Sequence, residues 1–152
     1  MSGSTYHNHL TELKFSAFPL EPRLHQGISD AGFTHCTPIQ ASTLPLTLAQ
    51  KDVAGQAQTG TGKTAAYLIT LFQRLLSSLP PEDREPGPRA LVLAPTRELA
   101  IQIHEDATAL NKYLSYKLGL VFGGKDYEKQ RQRIASGVDV LIGTPGRFID
   151  YY

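Results

Sequence analysis

Ala57-Gln58-Thr59-Gly60-Thr61-Gly62-Lys63-Thr64 is the stretch that decides the fold. A short apolar run, Val53 to Ala57, leads into it. Behind it comes Lys63 to Leu79, where Leu68, Leu71, Phe72, Leu75, Leu76 and Leu79 recur at spacings of three and four, the period of a helix with one apolar face. A strand that turns through glycines into a helix points that helix's unpaired N–H groups and partial positive charge at one place. The generic phosphate loop reads G-x-x-x-x-G-K-[ST], and here Ala57 holds the first glycine's place. Gly60 and Gly62 can take positive φ and let backbone N–H groups close around an anion. Lys63 would then reach the β- and γ-phosphates of a nucleotide, and the Thr64 hydroxyl would ligate Mg²⁺. The loop predicts nucleotide binding and does not by itself say which reaction follows.

Three more apolar runs read as strands: Ala90 to Ala94, Lys117 to Phe122 and Val138 to Gly143. With Val53 to Ala57 they make four. Ala90 to Ala94 and Val138 to Gly143 are nearly continuous, as strands buried on both faces should be. Between them, Arg97 to Leu114 repeats the helical stripe with Leu99, Ile101, Ile103, Ala107, Leu110 and Leu114, and Asp126 to Ala135 reads as a shorter, polar surface helix. Strands alternating with helices predict βαβ units and a parallel sheet. Two helices precede the first strand. Pro22 sits where a first-turn proline is tolerated, Gly32 is placed to stop that helix, and Thr37-Pro38 caps and opens the next. After the last strand, Thr144-Pro145-Gly146-Arg147 turns into a helix that is cut at Tyr152, which reads as a fragment.

Composition excludes several classes. The chain has 152 residues, 41% hydrophobic and 19% charged, with 13 Gly and 10 Pro, the profile of an ordinary folded domain and not of a disordered tail, collagen-like fibre or disulfide scaffold. Lys and Arg total 15 against 14 Asp and Glu, a net charge of +1, so any nucleic-acid site must be local. One cysteine, Cys36, permits no internal disulfide and suits a reducing compartment. Residues 1–15 show no secretory core, and the apolar stretch Ala65 to Leu76 carries Gln73 and Arg74 and is too short to span a bilayer. The expectation is a cytoplasmic chain with no membrane partner.

From about Leu10 to Tyr152 the chain resembles the first RecA-like domain of DEAD-box ATP-dependent RNA helicases, and within that family the bacterial members of the RNA degradosome. The resemblance implies an α/β fold, a RecA-like P-loop NTPase parallel sheet with flanking helices, incomplete at the C-terminus. It implies a polar extension over residues 1–14 and a partial helicase ATP-binding domain over 15–152, with the Q motif at 13–41. Gly32-Phe33-Thr34-His35-Cys36-Thr37-Pro38-Ile39-Gln40 is similar to that motif, with Phe15 as its upstream aromatic. By the family's pattern Gln40 reads the adenine edge and Phe15 stacks on the base. An amide offers donor and acceptor together, as adenine's N6 and N7 require, although a phenylalanine is more often a packing residue. Ala57, Gln58, Thr59, Gly60, Thr61, Gly62, Lys63 and Thr64 match the family's own variant of the phosphate loop.

Pro95-Thr96-Arg97-Glu98-Leu99-Ala100 resembles motif Ia, Gly123-Gly124 the glycine doublet, and Thr144-Pro145-Gly146-Arg147 motif Ib. Each follows the carboxyl end of a strand, where open α/β sheets bind ligands. The resemblance implies that these residues hold the phosphates of one RNA strand, reading backbone and not bases. It also implies ATP and Mg²⁺ as cofactors, and by analogy ribonuclease E and other degradosome components as partners.

ATP hydrolysis needs a carboxylate for Mg²⁺ and another to position the attacking water. The family's D-E-A-D sequence does not occur in these 152 residues. Asp126 is a weak substitute, so the chain alone is expected not to turn over ATP. It is further expected to be of low stability and to aggregate when expressed alone. His7, His9, His25 and His104 lack partners at metal-ligand spacing, and nothing marks Cys36 as a nucleophile. Two alternatives are a non-catalytic ATP- or RNA-binding remnant and a small phosphate-loop kinase, the latter without an acidic strand end or an acceptor lid.

Overall fold

In a computed structural model, residues 10–79, 87–124 and 127–150 are described. They divide into two compact units, Met1–Ser78 and Leu79–Tyr152.

In the first unit, residues 11–15 run beside residues 34–36. Lys14 pairs antiparallel with His35, and the N–H groups of Thr11, Phe15 and Cys36 donate to the carbonyls of Cys36, Thr34 and Leu13 at 2.8, 3.1 and 2.7 Å. Helix α1 (Pro22–Asp30) opens on its proline, with the Glu21 carboxylate accepting from the Arg23 N–H at 2.8 Å. It ends where Gly32 takes φ +83° and the N–H groups of Gly32 and Phe33 return to the carbonyls of Ser29 and Ile28, the left-handed stop that glycine permits. Helix α2 (Pro38–Leu48) packs along α3 (Lys63–Ser77), the helix of the leucine stripe. Phe15, Leu24, Ile28, Leu44, Leu68, Ile69 and Phe72 are buried.

The second unit holds the sheet. Strand β1 (Ala90–Leu93), helix α4 (Arg97–Leu110), strand β2 (Leu118–Val121), helix α5 (Tyr127–Ala135), strand β3 (Val140–Gly143) and helix α6 (Pro145–Asp150) follow in order. The sheet is parallel, β1-β3-β2. Leu93, Gly143 and Val121 stand in register across it, so all three strands end at one level and the loops after them start together. Helix α4 lies against β2 and β3, and α5 against β2. All of β3 is buried, as its continuous apolar run requires.

Three expectations are corrected. Residues 51–58 form no strand. A strand is defined by the ladder it joins; Val53-Ala54-Gly55-Gln56-Ala57 has one β-branched residue and a glycine, and among the described residues nothing pairs with it. Strand β1 is covered on one face only, since Val92 is buried while Leu91 and Leu93 are each 59% exposed. Helix α4 stops at Leu110 and continues as a short 3-10 turn, Asn111–Tyr113. There the Asn111 amide donates to the Tyr116 carbonyl at 2.8 Å and accepts its N–H at 3.1 Å, which turns the chain toward β2.

Candidate nucleotide and RNA-backbone sites

The glycines of the phosphate loop do what their positions suggest. Gly60 and Gly62 take φ of +80° and +84°, a region that costs other residues steric strain. Gly62 is also the N-cap of α3 and supplies no side chain to the first-turn N–H groups, which leaves that end suited to an anion. Lys63 folds back across the loop, its Nζ donating to the carbonyls of Ala57 and of Gln58, the latter at 2.7 Å. The Thr61 hydroxyl donates to the Gln58 carbonyl at 2.8 Å. Ala57 and Thr64 are half-buried, whereas Gln58, Thr59 and Gly60 are exposed.

The Q-like segment is bound to this loop. Gln40 is 1% exposed, and its Oε1 accepts the Thr37 N–H at 2.9 Å while its Nε2 donates to the Gly62 carbonyl at 3.0 Å. The Thr37 hydroxyl donates to the Thr61 carbonyl at 2.7 Å. A Cβ on Gly62 would collide with the Gln40 amide, so Gly62 is required by contact as well as by φ. The link from Thr37 to Thr61 was not legible in sequence, where Thr37 reads as a helix cap within the Q-like segment and nothing points to Thr61. Phe15 is 2% exposed and its ring lies 5.9 Å from that of Phe33, tilted by 52°. Stacking on adenine needs an open ring face, and the geometry supports the packing role instead. Burial pushes the Cys36 thiol up to about 11.

In the second unit the three later motifs gather at the level strand ends. The Ala94 N–H donates to the Gly143 carbonyl at 2.9 Å, and the Thr144 N–H to the Val121 carbonyl at 3.2 Å. Thr96 caps α4, its hydroxyl accepting the Leu99 N–H at 3.2 Å. The Arg97 guanidinium lies 4.8 Å above the Phe122 ring, next to the exposed Gly123 and Gly124. Gly124 takes φ +83°. Thr144 opens α6, its carbonyl accepting the Arg147 N–H, and the Arg147 guanidinium lies 5.4 Å from the Tyr127 ring. Pro95, Pro145 and Gly146 are exposed around them. The structure therefore brings together Pro95, Thr96, Arg97, Gly123, Gly124, Thr144, Pro145, Gly146 and Arg147 as turns, glycines and cations, which suits a phosphate backbone. Asp126 falls outside the described residues.

Gln130 was not singled out in the sequence. It is 6% exposed, with its amide on the Phe122 backbone. A lone glutamine on a polar helix gives no signal of burial.

No helix among the described residues is long and apolar enough to cross a membrane. The family model for the DEAD/DEAH box helicases matches residues 37–152. The chain is 54% identical over 144 residues to the ATP-dependent RNA helicase RhlB of Idiomarina loihiensis, covering 95% of this chain and 34% of that protein. It is 59% identical over 143 residues to the protein of the same name from Xanthomonas campestris, covering 93% of this chain and 25% of that one. The chain thus spans about a quarter to a third of the length of these curated relatives. A crystal structure of a DEAD box protein from the hyperthermophile Methanococcus jannaschii superposes with a TM-score of 0.80 at 33% identity, over 91% of this chain and 36% of that one. One of a hypothetical ATP-dependent RNA helicase from Sulfolobus tokodaii gives 0.73 at 34% identity, over 86% and 36%. On the match over residues 37–152, the chain belongs to the DEAD/DEAH box helicase family.

Proposed function

We propose that this chain is the N-terminal part of an ATP-dependent RNA helicase, with residues 15–152 forming part of its first RecA-like domain. The observation that carries the reading is the bond from Gln40 Nε2 to the Gly62 carbonyl, which ties a nucleobase-reading amide to a phosphate loop. Gln40 is buried, at 1% exposure, but keeps one N–H and one lone pair beyond its bonds to Gly62 and Thr37, and these would meet adenine's donor and acceptor once the loop at Gly62 moves aside. Ala57 to Gly62 and the start of α3 would cradle the phosphates. An arriving β- or γ-phosphate offers Lys63 Nζ stronger, charge-assisted partners than the carbonyls of Ala57 and Gln58 that it now holds.

Mg²⁺, when bound, would neutralise charge developing on the phosphate oxygens. The half-buried Thr64 hydroxyl, in the first turn of α3, is the residue of this chain that fits it. Arg97, Thr144, Arg147 and the turns at Pro95, Thr96, Gly123, Gly124, Pro145 and Gly146 would hold RNA phosphates without reading bases. Unwinding of RNA duplexes, a role in RNA degradation, docking on ribonuclease E and a cytoplasmic location belong to the same proposal. They are supported by the likeness to proteins named RhlB.

The test is nucleotide competition on the whole protein with a fluorescent ATP analogue. ATP displaces the analogue at least tenfold better than GTP, and Gln40→Ala erases that preference. Equal displacement by ATP and GTP overturns the reading.

A further inference from the structure

Among the described residues, strand β2 lies at the edge of the sheet, with β3 on one side only. Where β2 ends, the Val121 carbonyl turns inward and accepts the Thr144 N–H. Successive strand residues direct their backbone groups to opposite sides, so the N–H and C=O of Phe122 face outward, away from β3. There the buried Gln130 of α5 meets both, its Oε1 accepting the Phe122 N–H at 3.1 Å and its Nε2 donating to the Phe122 carbonyl at 3.2 Å. A side-chain amide has the same donor and acceptor as a peptide group, so Gln130 acts as one residue of a missing neighbour strand.

Phe122 is the last fixed point before Gly123-Gly124, and its ring carries the Arg97 guanidinium. We propose that Gln130 is a positioning residue for RNA. Through Phe122 it sets the direction in which the glycine doublet leaves the sheet and the place where Arg97 rests. Glycines hold no conformation by themselves, so the geometry they show an RNA phosphate is inherited from the residue before them. This inference rests on the reading of Arg97 and Gly123-Gly124 as RNA-backbone contacts, and it adds a residue that itself touches no RNA.

The test uses the whole helicase and its RNA-stimulated ATP hydrolysis, with Gln130→Met, Gln130→Glu and Arg97→Ala. Methionine keeps the volume of the side chain and removes both hydrogen bonds. Glutamate keeps the acceptor for the Phe122 N–H and sets a carboxylate against the Phe122 carbonyl, so it carries the test if the methionine variant does not fold. Both raise the RNA concentration for half-maximal stimulation about tenfold, leaving KM for ATP and the rate at saturating RNA unchanged. A residue that only stabilised the fold would not give that split. If Arg97→Ala weakens RNA binding while both Gln130 variants match the wild type, the inference falls and the RNA site stands. If Arg97→Ala also has no effect, the RNA-site reading falls and takes the inference with it. Loss of ATP and RNA affinity together in the Gln130 variants makes Gln130 merely structural, which also overturns the inference.

Discussion

Phe15 shows how a motif position and a side chain's role can diverge. Phe15 stands at the family spacing for a base-stacking aromatic, yet its ring is buried against Phe33. Phe15→Leu is expected to keep ATP affinity within about threefold, while Phe15→Ala costs about 3–5 kcal/mol of stability through the cavity it leaves. Thermal melts and analogue binding on the same samples separate the two effects. A large loss of affinity in a stable Phe15→Leu protein restores the stacking role. Cys36 is fully buried, and its thiol is raised from the ordinary 9.0 to about 11. Reactivity follows the thiolate, so iodoacetamide at mildly alkaline pH should leave Cys36 unlabelled in the folded protein and label it after denaturation, read by mass spectrometry. The linkage has a definite sign. Between 9.0 and about 11 the unfolded thiol has lost its proton and the folded one has not. The unfolded chain then binds fewer protons, and this group's contribution to stability falls as pH rises through that window.

At the scale of elements, helices were easier to read than strands. The stripe from Leu68 to Leu76 forms α3, which ends at Ser77 and leaves Leu79 outside it, Pro22 and Gly32 bracket α1, and Thr37-Pro38 opens α2. Such signals are local, because a helix satisfies its own backbone. Strands take their identity from partners distant in sequence, which is why Val53 to Ala57 reads as a strand and joins no ladder among the described residues. The hydroxyl of Thr37 on the Thr61 carbonyl was equally hidden, since its partner is 24 residues away. Thr37→Val should cost about 1 kcal/mol for that lost bond and raise KM for ATP several-fold by loosening the loop at Thr61. An unchanged KM would show that the bond does not hold the loop. Gly143 presents a steric requirement instead. A Cβ there would run into the Val121 carbonyl and the Phe148 ring, so Gly143→Ala is expected to cost about 1–3 kcal/mol through overpacking, measured as a lowered melting temperature.

At the scale of the whole molecule, the level strand ends explain why the second unit's candidate site was legible from motif order alone. The motifs after β1, β2 and β3 must meet once those strands lie parallel and in register. Exposure was not legible in the same way. Leu91 and Leu93 belong to an apolar run that predicts burial on both faces, and each is 59% exposed because a covering layer is a property of the assembly and not of the strand. Leu79 and Ile149 are exposed to 91% and 75%. Residues 1–152 expressed alone should therefore aggregate through exposed apolar side chains such as those on the open face of β1, and Leu91→Lys with Leu93→Glu should lessen it; a cooperative melt from a soluble monomer would contradict the expectation. The most direct measurement is phosphate release from ATP by the whole protein, with and without RNA, for the wild type and Lys63→Ala. RNA is expected to stimulate release from the wild type at least tenfold, and Lys63→Ala to abolish it. Release that ignores RNA, or that survives the loss of Lys63, would contradict the account.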